Sequence, residues 1–227
     1  LLPQEEKLEV ARHKSELFIG IPKEISYQER RICLTPDAVN SLTSHGHRVM
    51  VESGAGLSSS YTDKEYSDAG AEITSDTKKV LSCPFLLKVE PLTIEEIEMI
   101  QPKTIVISAI QLKTRKAAYF EALKKKKITA LAFEYIKDED GSYPAVKSLS
   151  EIAGTASILI ASELMINNQF GKGLLLGNIT GVPPTDVVIL GAGTVGEFAA
   201  KTALGLGANV KVFDNSITKL RRLQNNL

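Results

Sequence analysis

Asp186–Val212 reads DVVILGAGTVGEFAAKTALGLGANVKV. An apolar run, Val187–Leu190, leads straight into Gly191-Ala192-Gly193-Thr194-Val195-Gly196, and a helical pattern follows. A lone GxGxxG carries little information. With a strand before it and a helix after it, it reads as the phosphate turn of a dinucleotide-binding Rossmann unit. Gly191 permits the tight turn, Gly193 lets the backbone approach a pyrophosphate, and Gly196 lets the helix lie close on the strand. The free amides and positive dipole end of that helix then face the phosphates, with Ala192, Thr194 and Val195 completing the cradle. A second strand, Asn209–Phe213, ends at Asp214, where the pattern places an acid about 20 residues past the glycines. A carboxylate there accepts hydrogen bonds from a ribose 2′-hydroxyl and repels a 2′-phosphate, which favours NAD over NADP. Lys219 follows closely, and two positions are open to it: against the adenosine ribose, or in solvent.

The unit begins near Thr185, and Leu227 comes shortly after its second strand. A doubly wound domain has about six strands. Two strands and one or two helices cannot cover both faces of a sheet, so the expectation is a Rossmann domain that is incomplete at its C-terminus.

Upstream, short apolar runs alternate with helical patterns. Strands are expected at Leu17–Pro22, Arg48–Glu52, Ala71–Thr74, Phe85–Val89, Thr104–Ile110 and Ile128–Ile136. Helices are expected at Pro36–His45 (Thr35 as cap, Pro36 in the first turn), Thr62–Gly70, Asp76–Leu81, Thr93–Ile100 and Thr114–Lys127. This alternation implies an α/β fold with a mostly parallel sheet buried on both faces. DEDGSY at Asp138–Tyr143 is a turn. A long helix is expected from about Ser148 to Asn168, opened by the S-x-x-E box of Ser148 and Glu151. Gly171–Pro184 reads as a connection, and the polar leader, residues 1–16, as helical.

Lys plus Arg and Asp plus Glu both total 27, so there is no basic excess to argue for nucleic acid. The run Lys124–Lys127 closes a helix, where cations suit the C-terminal dipole. The two cysteines, Cys33 and Cys83, form no CxxC pattern, which argues against zinc and against a disulfide framework. The leader is charged and unlike a secretion signal. The longest apolar run, Ser157–Ile166, is too short and interrupted to span a bilayer. The expectation is a cytoplasmic protein with no metal and no membrane segment.

Taken in order, IGIPKE, an arginine before LTP, ESGAG, LLKV, SEIAG and VILGAGTVG resemble the alanine dehydrogenase and pyridine nucleotide transhydrogenase alpha-subunit family, from Phe18 to the end. The resemblance implies a substrate domain at residues 17–147, a connecting helix and linker at 148–184, and the first part of a Rossmann NAD-binding domain at 185–227. It implies NAD as cofactor, an amino acid or 2-oxo acid as substrate, and a homo-oligomer.

Carried over one at a time, the family's residues match unevenly. The arginine that holds the substrate carboxylate is similar to Arg31 in RRICLTP; a guanidinium fork matches a carboxylate bidentately, as a lysine does not. A surface arginine in a loop is the plainer reading. Where alanine dehydrogenases resemble LLKVKEP, this chain has LLKVEP, one residue shorter. Lys88 matches the first lysine, and the second is deleted or replaced by Glu90. Lys88 either points into a cleft from the end of its strand or caps the sheet and faces solvent. Where the family carries a proton-transferring histidine, ISAIQLKT places Gln111, which hydrogen-bonds but does not titrate. None of His13, His45 and His47 lies where a replacement is expected. Ser150, in LSEIAG, resembles a serine near the nicotinamide, and Glu134, in AFEYI, matches an acid at a strand end.

These matches imply an alanine dehydrogenase-like oxidoreductase in which Arg31, Lys88 and Gln111 meet the substrate. Transhydrogenase alpha subunits also lack the histidine, so an NAD(H)-binding subunit of that kind is one alternative, although SEIAG is dehydrogenase-like. A non-catalytic NAD-binding regulator is another.

Overall fold

The β-branched and apolar runs of the first half form six parallel strands in a computed structural model that describes residues 16–139, 141–166, 169 and 171–227. The leader up to residue 15 lies outside the described residues, as does the expected helix end at Asn168. The fold is α/β, and the chain divides into two compact units, the first ending at Phe133 and the second running from Glu134 to Leu227.

In the first unit the order is β1 (Phe18–Ile21), α1 (Pro36–Ser44), β2 (Arg48–Glu52), α2 (Asp63–Asp68), β3 (Glu72–Thr74) and α3 (Thr77–Leu81). There follow β4 (Phe85–Leu87), α4 (Ile94–Met99), β5 (Ile105–Ser108), α5 (Ala117–Lys125) and β6 (Thr129–Ala132). The strands lie in the order β3-β2-β1-β4-β5-β6, with Ile19 beside Val49 and Leu86 beside Val106. Parallel strands need helical crossovers that cover the sheet, which is why Ile21, Val49, Val51 and Leu86 are almost wholly buried. The order reverses direction between β1 and β4. Outside the carboxyl ends of two such strands the crossovers diverge and leave a crevice, the usual ligand position in sheets of this class.

Side-chain caps start the helices where the sequence places them. Thr35 accepts the N–H of Ala38, and Asp76 accepts those of Lys78 and Lys79. Thr62 with Glu65, and Thr93 with Glu96, form reciprocal capping boxes. Each such cap contributes about 1 kcal/mol to a helix too short to persist alone. Tyr66 of α2 is fully buried, and its hydroxyl donates to the carbonyl of Leu34 at 2.7 Å.

Two expected boundaries shift for local reasons. The helix expected from Thr114 starts only at Ala117, because Thr114 and Arg115 direct their N–H groups to the carbonyl of Gln111 in a turn. The strand expected to reach Ile136 ends at Ala132, and Phe133–Tyr135 forms a 3-10 turn.

The second unit holds α6 (Pro144–Ile166), β7 (Asp186–Leu190), α7 (Thr194–Gly205), β8 (Asn209–Phe213) and α8 (Ile217–Asn226). The Ser148–Glu151 box does not open α6. Proline is well placed in a first turn, so the helix starts at Pro144, and the Ser148 hydroxyl donates to the Pro144 carbonyl inside it. The ten-residue apolar run is therefore part of a 23-residue helix, which by length and composition alone is long and apolar enough to cross a membrane. Against that, α6 packs on α7 at Gly154, where a Cβ would stand 2.4 Å from the Val195 carbonyl oxygen. Strands β7 and β8 pair in parallel, and Val187, Ile189 and Val210 pack on Ala199 and Ala203 of α7. The alternate side chains Val188, Leu190 and Phe213 are 59%, 83% and 57% exposed, so only one face of this sheet is covered by its own helices.

Candidate active-site residues

The glycine turn has the form its spacing requires. Gly191 leaves β7 with φ +111°, a conformation that side chains resist. At Gly196 a Cβ would lie only 1.9 Å from the Gly191 carbonyl oxygen, so the first turn of α7 approaches the loop as closely as backbone allows. Gly193 differs, since no protein atom lies within 4 Å of where its Cβ would stand. The fold itself does not demand glycine there. A ligand against the backbone would, and that fits a pyrophosphate.

Thr194 and Val195 follow in the first turn of α7, with Gly193 as the N-cap residue and no side chain occupying the cap. Their amides stay available to an anion. Gly191, Gly193, Thr194, Val195 and Gly196 line a cleft of about 560 Å³ together with Ser150 and Ser157 of α6. Ser150, expected near a nicotinamide, is thus brought to the same cleft as the glycine turn. A cleft of this size is within the range of small-molecule sites, about 300–1,000 Å³.

Asp214 stands at the end of β8, as expected. Its Oδ2 accepts the N–H of Ala192 and its Oδ1 that of Ser216, both at 2.7 Å. The amide of Ala192, first of these two donors, and that of Ser216 hold the carboxyl below its ordinary range, with Lys219 adding attraction. Each oxygen keeps a second lone pair for a hydroxyl. The Lys219 backbone N–H caps onto Ser216 at 3.5 Å, and the residue is exposed. Glu197 was not expected. It is buried in α7 and gathers Lys201 at 2.9 Å, Asn226 at 3.0 Å and Arg222 at 3.5 Å, while Arg222 also reaches the Ala192 carbonyl. An acid in a first helical turn is the signal that marks it.

In the first unit the substrate-side candidates gather at the carboxyl ends of β1, β4 and β5. Lys88 follows β4 and does not face solvent: its side chain is 1% exposed, with Nζ 2.8 Å from Glu96 Oε1 and 3.6 Å from Glu24 Oε2. The other Glu96 oxygen accepts the Thr93 N–H at 2.7 Å, so one carboxylate both caps α4 and neutralises the lysine. Glu24, in the loop after β1, accepts the N–H groups of Val89 at 2.6 Å and Glu90 at 3.4 Å. Burial pushes its carboxyl above the ordinary range, partly offset by Lys88 and these amides. Glu24 and Glu96 were unassigned in the sequence, yet IGIPKE and the T-x-x-E box both display them.

Arg31 is half exposed and presents its fork to Glu29, through Nε at 2.8 Å and a terminal nitrogen at 2.7 Å. The fork thus already holds a carboxylate, the group its geometry suits. The guanidinium, by hydrogen bonding, holds the Glu29 carboxyl below its ordinary range. Gln111 leaves β5 with φ +54°, a rare state for a bulky residue that clusters at functional sites. Its amide nitrogen stands 3.5 Å from a Glu90 oxygen, and its amide oxygen accepts from Arg115 at 3.2 Å. The Nε of Arg115 is buried with no hydrogen-bond partner among the described residues. His45 and His47 lie at the opposite, amino-terminal side, bonded to the Ser41 carbonyl and the Leu17 amide. His13 lies outside the described residues. Glu134 sits in the 3-10 turn after β6. Cys33, beside this cluster, donates to the Leu87 carbonyl, and burial pushes its thiol up to about 12.

Comparison with known proteins adds the family. The description "Alanine dehydrogenase/PNT, N-terminal domain" matches residues 20–153, and the corresponding C-terminal domain matches residues 157–227. The chain belongs to the Alanine dehydrogenase/PNT family. An alanine dehydrogenase of Methanococcus maripaludis is 39% identical over 208 residues, 91% of this chain and 56% of that protein. The structure of an L-alanine dehydrogenase superposes with a TM-score of 0.86 at 35% identity, covering 92% of this chain and 58% of the other. A transhydrogenase from Sinorhizobium meliloti gives 0.79 at 26% identity, covering 92% and 62%. The chain therefore spans little more than half the length of the family members it matches.

Proposed function

We propose that the intact protein is an NAD-dependent dehydrogenase that oxidises a 2-amino acid, L-alanine first among them, to the 2-oxo acid and ammonia. The observation that carries the cofactor is Gly193, a glycine that the fold does not need and a bound pyrophosphate would. NAD, when bound, accepts the hydride from the substrate α-carbon. The turn from Gly191 to Gly196 would hold its phosphates, Asp214 an adenosine ribose hydroxyl, and Ser150 the nicotinamide end. The charged carboxylate of Asp214 supports NAD over NADP. On the substrate side Arg31 binds the carboxylate by releasing Glu29, Lys88 fixes Glu24 and Glu96 at the strand ends, and Gln111 orients. On this reading residues 17–147 are the substrate domain, 148–184 the connection and 185–227 the opening of the nucleotide domain, in a cytoplasmic homo-oligomer.

The experiment is alanine-dependent reduction of NAD by the intact protein, with pyruvate and ammonia measured as products. Turnover with another 2-amino acid but not alanine would change the substrate and keep the class. Gln111 favours a second reading, an NAD(H)-binding subunit of the transhydrogenase kind, because that function needs no titratable residue at its position. Hydride exchange between NADH and an oxidised nucleotide, without any amino acid, would support it. Tight NADH binding with neither activity would instead indicate a regulator.

A further inference from the structure

Oxidising an amino acid requires a proton carrier. After hydride leaves the α-carbon, water adds to the resulting iminium carbon and loses a proton. The carbinolamine then takes a proton on nitrogen and splits into 2-oxo acid and ammonia, the hydroxyl proton leaving on the ammonia as ammonium. The base that receives the first proton can return it in the second step, so atoms balance with NAD as the oxidant. Gln111 cannot do this.

We propose that Glu90 is the proton-transfer residue of this site and that Gln111 is its positioning residue; the proposal rests on the amino-acid dehydrogenase reading above. Glu29 and Arg31 interact with Glu90, Glu24 accepts its backbone N–H, and the charged groups of this cluster have partners of their own. Glu24 is held by Lys88 and two backbone amides. Glu96 is held by Lys88 and the Thr93 amide. Glu29 is locked in the fork of Arg31. Arg115 holds the Gln111 oxygen. Among the described residues no lysine or arginine forms an ion pair with Glu90 itself. It is half-buried, as Glu24 is, where Glu96 is buried. It also lies in the shortened LLKVEP segment, at the carboxyl end of β4 beside the sheet's reversal point.

Gln111 links these groups. Arg115 fixes the amide oxygen, which turns the amide nitrogen toward Glu90. The left-handed backbone of Gln111 is the strained feature that puts it there. The unpartnered Nε of Arg115, buried beside Gln111, is a donor suited to a substrate oxygen.

The test compares the intact wild type with Glu90→Gln, Glu90→Asp and Gln111→Ala, by pH profiles of kcat and kcat/KM and by NADH titration. Glu90→Gln is expected to lower kcat by about 100-fold or more and to abolish the acidic limb of the profile, with NADH affinity unchanged. Glu90→Asp should keep the limb at reduced kcat, which covers the case where the neutral variant does not fold. Gln111→Ala should shift the limb's apparent pKa, which a packing role would not. An active wild type whose Glu90→Gln variant keeps both kcat and limb overturns the proposal alone. A wild type that binds NADH and oxidises no 2-amino acid overturns the reading beneath it as well.

Discussion

The Asp214 carboxylate accepts the Ala192 N–H at 2.7 Å, tying the end of β8 to the middle of the glycine turn. The residue expected to read the ribose therefore also sets the shape of the glycine turn. An asparagine has one accepting oxygen and would turn an NH₂ group toward either Ala192 or Ser216. Asp214→Asn is expected to weaken NADH binding about tenfold and to narrow the preference over NADPH, because the charge that repels a 2′-phosphate is gone. Fluorescence titrations with both nucleotides check this. Equal losses for the two nucleotides would confine Asp214 to shaping the loop.

Gly193 and Gly196 separate ligand binding from folding. A methyl group on Gly193 meets no protein atom, so Gly193→Ala should melt within a degree or two of wild type and lose NADH binding. A methyl on Gly196 collides with the Gly191 carbonyl, so Gly196→Ala should lower both the melting temperature and the affinity. Thermal melts with and without NADH distinguish the two, since a bound ligand raises Tm by mass action. If Gly193→Ala gained as much from NADH as wild type does, the pyrophosphate would not lie at this turn.

The elements that were legible in the sequence are those whose signals are local. Thr35, Thr62, Asp76 and Thr93 announce helices through contacts two or three residues away, and GAGTVG fixes its own turn. The start of α6 was misplaced because Ser148 and Glu151 imitate a capping box four residues inside a helix that Pro144 opens. The sequence singled out Arg31, Lys88 and Gln111, whereas the partners that the structure gives them were less legible. Glu24 meets Val89 across 65 residues, a pairing created by the sheet order and invisible to any periodicity. The open side of β7 and β8 was anticipated by counting strands, because two strands cannot bury two faces.

The Lys88 cluster makes a pH-dependent claim. Removing one member of a buried ion group leaves the others unpaired, at a cost of about 3–5 kcal/mol, so Lys88→Met should be strongly destabilised at neutral pH. Glu24 already sits above the ordinary carboxylate range through burial, and the loss of Lys88 raises it further. An acid raised by folding contributes stability that is fully present below its unfolded pKa and is lost as pH rises through the folded one. The deficit of Lys88→Met should thus shrink as pH is lowered from 8 toward 5. Denaturant midpoints across that range measure it, and a deficit independent of pH would mean that packing, not charge, dominates.

If Arg31 binds the substrate carboxylate as proposed, Glu29, which occupies its fork, is an internal competitor. Arg31 is half exposed, so the pair is worth only about 0.5–1 kcal/mol, and Glu29→Gln should lower KM for the amino acid by about two- to fivefold. Arg31→Lys removes the bidentate geometry itself. With solvent screening discounted, it should raise KM about tenfold, with kcat little changed and NADH affinity intact. The two variants must move KM in opposite directions. If Glu29→Gln raised KM instead, Glu29 would be holding Arg31 in its productive orientation, and the fork would receive its substrate only with that acid in place.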